Sequence, residues 1–253
     1  ERALELEPLI RQSLSFAEAA LSPTDQFDPK TSERVFRIQV SDYVEGTLIA
    51  SLVQHLQEHA PHVTLDVLTL SDASFQDLEK GKVDLAINRF DDIPQSFYKR
   101  SVWKDSFSCV VNAQHAILEN NTLEKYLESD HIWVSKTGIG VGTGMSQENS
   151  HKRGWIDDAL TELNCERKIR VFTRHYQIVP LLVNRTDLIA TLPTRAARSY
   201  SSYSDLVIVE PPFTIKPIEI NMVWSPLLHH SSAHQWIRRT LVELAKNDTS
   251  EES

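Results

Sequence analysis

Between Arg34 and Ile87 the sequence alternates short apolar stretches with amphipathic ones. This alternation restricts the fold more than any other feature. Arg34 to Val40 (R-V-F-R-I-Q-V) alternates polar and apolar residues, as a half-buried strand does. Ser41 or Asp42 can cap the helix that follows, whose inner face would carry Leu48, Leu52, Val53 and Leu56 before Pro61 ends it. Val63 to Leu70 is a second strand. Ser71 and Asp72 offer another cap, and Phe75 to Lys80 is a short helix stopped by Gly81. Val83 to Ile87 (V-D-L-A-I) is a third, buried strand. A β-α-β-α-β run of this kind builds a parallel sheet with right-handed crossovers.

The same grammar returns further on. Strands are expected near Tyr98 to Trp103, Ser106 to Asn112, Ile132 to Ser135, Lys168 to Thr173, Leu188 to Leu192, Leu206 to Glu210 and Ile218 to Trp224. Helices are expected near Leu123 to Leu127, Trp155 to Leu163, Gln177 to Val183, Ala196 to Tyr200 and Ser232 to Lys246. Two successive α/β runs with a return strand and helix predict an α/β fold of two Rossmann-like lobes joined by crossover strands. Ligands of such folds bind at the carboxyl ends of the strands, in the cleft between the lobes.

Bulk properties remove several function classes. The 253 residues carry a formal net charge of -9, which repels phosphate backbones and argues against direct nucleic-acid binding. No run approaches 18 apolar residues, so no membrane span is expected. No export signal is visible, and two cysteines without CxxC spacing, Cys109 and Cys165, suit a reducing cytoplasm. The chain begins at Glu1 in mid-helix and reads as a fragment of a longer protein. Ala3 to Leu21 is that helix, with Ile10, Leu14, Ala17 and Leu21 on one narrow stripe of coiled-coil spacing. Ser22 to Ser32, with Pro23 and Pro29, reads as a linker. The stripe either packs on the helix's own domain or, since the linker sets the helix apart, meets another surface such as a second copy of the chain.

Catalytic signatures are missing: there is no GxSxG, HExxH or GxxxxGK[ST]. The glycines at 138, 140, 142 and 144 do not match GxGxxG. They make either a flexible turn or a nest of backbone N–H groups. His55 and His59 have the spacing of metal ligands but lack a third, and His229, His230 and His234 cluster at a helix start; neither group is expected to hold a metal. No cofactor and no catalytic residue is expected. Candidate binding residues instead lie where strands give way to helices: Ser41, Asp42 and Tyr43, then Thr69 and Ser71, then Asn88 and Arg89. Capping explains part of that set, but helix starts also receive anions. Arg174, His175 and Tyr176 could hold an aromatic or carboxylate anion by a fork of hydrogen bonds and stacking; a surface ion pair is the alternative for Arg174.

These residues together resemble the effector-binding domain of LysR-type transcriptional regulators. The resemblance covers nearly the whole chain. It rests on A-P-H-V-T-L-D-V (60–67), D-L-E-K-G-K-V-D-L-A-I (77–87), W-K-D-S-F-S-C-V-V-N-A-Q-H (103–115) and V-P-L-L-V-N-R-T-D-L-I-A-T-L-P (179–193), in that order and spacing. The family's usual His-Pro is His115-Ala116 here. The endings V-N-R-T-D-L-I-A-T-L-P-T-R-A-A and H-Q-W-I-R-R-T-L are similar to the branch with nodulation and aromatic-degradation regulators.

The resemblance implies a type 2 periplasmic-binding-protein-like fold. Residues 1–21 would be the end of a dimerisation linker helix and 22–33 a linker. Residues 34–110 and 223–247 would form lobe I, 111–222 lobe II, and 248–253 a disordered tail. It adds Gly142, Thr143 and Met145 to the effector contacts, with Trp224 closing the pocket. It also implies a homodimer or homotetramer, DNA contact only through a winged helix-turn-helix outside this chain, and RNA polymerase as a candidate partner of the full-length protein. On this reading, an effector acts by its differential affinity for two arrangements of the lobes and subunits. The rival reading is a periplasmic solute-binding protein of a transporter; an enzyme on a similar scaffold is a weaker one.

Overall fold

The computed structural model describes Leu14 and residues 27–69, 72, 74–90, 93–134, 154–200 and 202–250, the last three as backbone only. Two compact units emerge. One comprises residues 1–103 with 220–253, the other residues 104–219. The expected divisions after Val110 and Met222 therefore move to Trp103/Lys104 and Glu219/Ile220. The physical reason is β5 (Phe107–Asn112), which is hydrogen-bonded to β8 and β9 of the second unit along its length.

In the first unit, β1 (Val35–Val40) lies at the heart of a five-stranded sheet. β2 (Thr64–Leu68) and β3 (Leu85–Asn88) run parallel to it on either side. β10 (Ile218–Trp224) pairs antiparallel with β3, and β4 (Tyr98–Asp105) completes the order β2-β1-β3-β10-β4. All of β3 is buried, which explains its unbroken L-A-I-N run where alternation would mark a half-exposed strand. After β1 come a helical turn at Asp42–Val44, a π-helical turn at Glu45–Ile49 and helix α1 (Ala50–His59). Leu48, Leu52 and Leu56 are buried as expected, but Val53 is exposed, because one residue past Leu52 turns 100° away from the core. Helix α2 (Phe75–Glu79) is capped by Ser74 in a capping box with Asp77, not by Ser71 or Asp72. The Asp72 carboxylate instead folds back onto Thr69.

In the second unit, β6 (Asp130–Val134), β7 (Lys168–Thr173) and β8 (Leu188–Pro193) are parallel. β5 runs antiparallel to β8 and to β9 (Leu206–Val209), giving the order β7-β6-β8-β5-β9. Helices α3 (Leu123–Glu128), α4 (Trp155–Glu162), α5 (Val179–Val183) and α6 (Thr194–Arg198) accompany this sheet. Cys109, Val111, Ile117, Tyr126, Leu160 and Ile189 form a core cluster. The last helix, α7 (Ser232–Ser250), returns to the first unit and packs on α1; it continues into the segment expected to be a disordered tail. Of the expected helix from Ala3 to Leu21 only Leu14 lies within the described residues. No helix among the described residues is long and apolar enough to cross a membrane.

Candidate functional site

Parallel pairing settles where the strand ends of the first unit lie. β1, β2 and β3 share a direction, so Ser41, Thr69, Asn88 and Arg89 all stand at one edge of the sheet, the carboxyl edge. Ser41 is buried there, and its hydroxyl oxygen accepts the Val44 N–H at 3.3 Å. Capping uses a lone pair and leaves the hydroxyl proton available for donation. Asp42 opens the helical turn and is partly exposed. Tyr43 is buried: its phenol oxygen accepts the Trp103 indole N–H at 2.9 Å, with the rings edge-to-face at 6.1 Å. Thr69 is exposed, and its N–H and hydroxyl both donate to Asp72 at 2.8 and 2.6 Å. Its carbonyl accepts the Gln39 amide at 3.3 Å. Asn88 is buried and Arg89 half-buried.

Trp224 does not join this group. β10 is antiparallel to β3 with Asn221 opposite Asn88 and Val223 opposite Ala86. The carboxyl end of β10 therefore reaches the amino edge of β3, away from Ser41 and Asn88. Trp224 is buried there, and its indole N–H donates to His229 Nδ1 at 3.2 Å. The expectation that it closes the pocket came from the family resemblance, and the antiparallel register of β10 puts it at the opposite edge instead.

In the second unit the carboxyl edge of β6, β7 and β8 carries the third candidate group. Arg174 and His175 are exposed, with the His175 N–H donating to Thr173 Oγ1 at 3.3 Å. Tyr176 is buried, and its carbonyl accepts the Tyr200 hydroxyl at 2.7 Å. Around Tyr176 stand Phe107, Trp133, Trp155, Thr191 and Pro193. The void between them is about 10 Å³, room for no more than one water, so these side chains form a closed aromatic wall. Thr194 Oγ1 bonds the hydroxyls of Ser106 and Ser108 at 2.9 Å each, at the same edge of β8. Sequence reasoning missed Trp103, Trp133, Trp155 and this hydroxyl trio. Trp155 alone had a local signal, as an aromatic directly after the helix-starting Gly154, whose φ of 114° few side chains adopt. Ser71, Gly142, Thr143 and Met145 lie outside the described residues.

Among the described residues no three His, Cys, Asp or Glu side chains could hold a metal ion. His55 and His59 stack on each other at 4.2 Å, and His59 Nδ1 contacts the His55 carbonyl. Both cysteines are free thiols; burial pushes Cys109 up to about 12, so it is inert as a nucleophile.

Residues 30–246 match the family model described as the LysR substrate binding domain. The HTH-type transcriptional activator NahR of Pseudomonas putida is 30% identical over 227 residues, covering 89% of this chain and 72% of that protein. Nodulation protein D 2 of Rhizobium tropici is 29% identical over 251 residues, covering 96% of this chain and 74% of its own length. Among solved structures, the regulatory domain of MexT, a transcriptional activator in Pseudomonas aeruginosa, superimposes with a TM-score of 0.70 at 25% identity; the match covers 85% of this chain and 99% of that one.

Proposed function

From the premise that this chain belongs to the LysR family as its substrate-binding domain, we propose that the strand-end residues bind a small-molecule effector and carry out no chemistry on it. NahR and MexT are transcriptional activators, and the periplasmic-transport alternative is not favoured. The observation that carries the site is the alignment of Ser41, Thr69, Asn88 and Arg89 along one carboxyl edge. Ser41 keeps a hydroxyl proton to donate, and Asn88 brings a buried amide to the same edge. In the second unit Arg174 and His175 offer donors for an acid group beside the aromatic wall at Tyr176. An aromatic carboxylate matches this combination of donors and rings.

The wider assembly follows from the same reading. The chain works in the cytoplasm as a homodimer or homotetramer, and it reaches DNA through a head outside this sequence, with RNA polymerase as a partner of the whole regulator. The effector acts by binding two arrangements of the regulator unequally. Calorimetry with a panel of aromatic carboxylates, beginning with benzoate, tests the site. Ser41→Ala and Arg174→Ala are each expected to weaken the best ligand about tenfold, the loss of one hydrogen bond to a charged group. Unchanged affinity in both variants contradicts the proposal. Sedimentation tests the assembly: a concentration-independent monomer contradicts it.

A further inference from the structure

The corner where β10 passes into α7 holds two imidazoles in a single protonation state. Trp224 Nε1–H donates to His229 Nδ1 at 3.2 Å, and the Arg238 guanidinium donates to His234 Nδ1 at 2.9 Å. Indole and guanidinium nitrogens can only donate, so each Nδ1 must be a bare lone pair and each proton must sit on Nε2. His234 Nε2 accordingly faces Asp84 Oδ1 at 3.5 Å. Arg238 ties the corner together. Its other bonds go to the Leu228 and His229 carbonyls at 3.3 and 2.8 Å, and it lies over the Trp224 ring at 4.5 Å. Tyr98 of β4 stacks on His229 at 3.8 Å.

The same helical turn holds Phe27. Phe27 N–H donates to Ser232 Oγ at 3.2 Å, and its ring packs 5.2 Å from Trp236 and 6.2 Å from Phe36. His234 stands between Ser232 and Trp236 in sequence. We propose that this corner is a proton-sensitive latch: protonating His229 or His234 breaks the Trp224 or Arg238 bond, loosens the first turn of α7 and unseats Phe27.

The charges around the rings set the direction. His234 is fully buried and faces Asp84 from the approach to β3, Arg34 from the approach to β1 and Arg238 from its own helix. Burial lowers its proton affinity most; Asp84 opposes this, and Arg238 and Arg34 add to it. His229 is lowered by burial first, then by Arg238, His230 and His234. Asp84 itself is raised by burial, but His234, the Arg37 N–H and Arg34 together hold it below the ordinary carboxylate value. Both imidazoles are therefore neutral at pH 7 and gain a proton only as the medium turns acidic.

Amide hydrogen exchange on the 253-residue chain tests the latch. Between pH 7.5 and 5.5 the protection factor of the Phe27 amide is expected to fall at least about tenfold, because a released imidazole titrates at its ordinary 6.5 and each proton the open form gains is worth tenfold over the pH unit below that value. In the double variant His229→Asn with His234→Asn, an amide oxygen can replace each Nδ1 as acceptor without titrating, and protection is expected to stay level. A level response in the unaltered chain, or an equal fall in the double variant, overturns the latch. Should the double variant not fold, nitrogen-15 shifts of the unaltered rings decide. Both must show the neutral Nε2–H form at pH 7.5; an Nδ1–H form on either ring overturns it.

Discussion

Each unit buries an ion pair and an imidazole, but the two units connect them differently. The second encloses a permanent ion pair: Arg167, its side chain 1% exposed, binds Asp157 by two hydrogen bonds of 2.7 and 2.9 Å. In the first, the buried His234 ring faces the Arg34–Asp84 pair directly, Nε2 to Oδ1 at 3.5 Å, and its Nδ1 accepts from Arg238, while the half-buried His229 accepts from Trp224. The bidentate guanidinium–carboxylate geometry gives α4 a constant tie to the start of β7. An imidazole sits close to its titration point, so the β10–α7 corner of the first unit does not have that constancy. Rigidity is placed beside one group of candidate residues, and responsiveness at the helix that seats Phe27.

The largest expected effect breaks the permanent pair. Asp157→Ala leaves a buried guanidinium without its carboxylate and should cost about 3–5 kcal/mol in urea unfolding. Next comes acid. His131 in the second unit is lowered to about 4 by burial and then by Arg167, so its folded value lies below its unfolded value of 6.5. Its contribution is present above pH 6.5 and is lost as pH falls toward about 4. The loss should be on the order of 3 kcal/mol at one pKa unit per 1.4 kcal/mol. His131→Gln, which removes the titrating ring, should flatten that part of the stability profile. Arg238→Ala follows at about 2–3 kcal/mol, because it strips three acceptors and a stacked ring at once. Smallest is Tyr43→Phe, at about 1 kcal/mol, which leaves the buried Trp103 indole N–H without its phenol acceptor. Thermal or urea melts check each, and equal losses for Asp157→Ala and Arg238→Ala would erase the contrast between the units.

Much of this was legible in the sequence because it is local. The order of β1, α1, β2, α2 and β3 follows from apolar period and caps, and parallel pairing then puts Ser41, Thr69 and Asn88 at one edge. What could not be read is long-range. Trp224 looks like a strand-end residue, yet the antiparallel register of β10 sends it to the other edge. Ser71 and Asp72 look like caps, but Ser74 with Asp77 closes a better box one turn later. His229 and His234 cluster at a helix start, and the sequence gives them no role there. Only the approach of Trp224 and of the Arg238 side chain shows that both Nδ1 lone pairs are already committed.

The strand-edge effector site is tested most directly by amide shift mapping with the aromatic carboxylate panel. A binding ligand should shift Ser41, Asp42, Tyr43, Asn88, Arg89 and the Arg174–Tyr176 turn, and leave Trp224 unmoved. Saturable shifts confined to the amino edge around Trp224, or no shifts with any member of the panel at millimolar concentration, would contradict it.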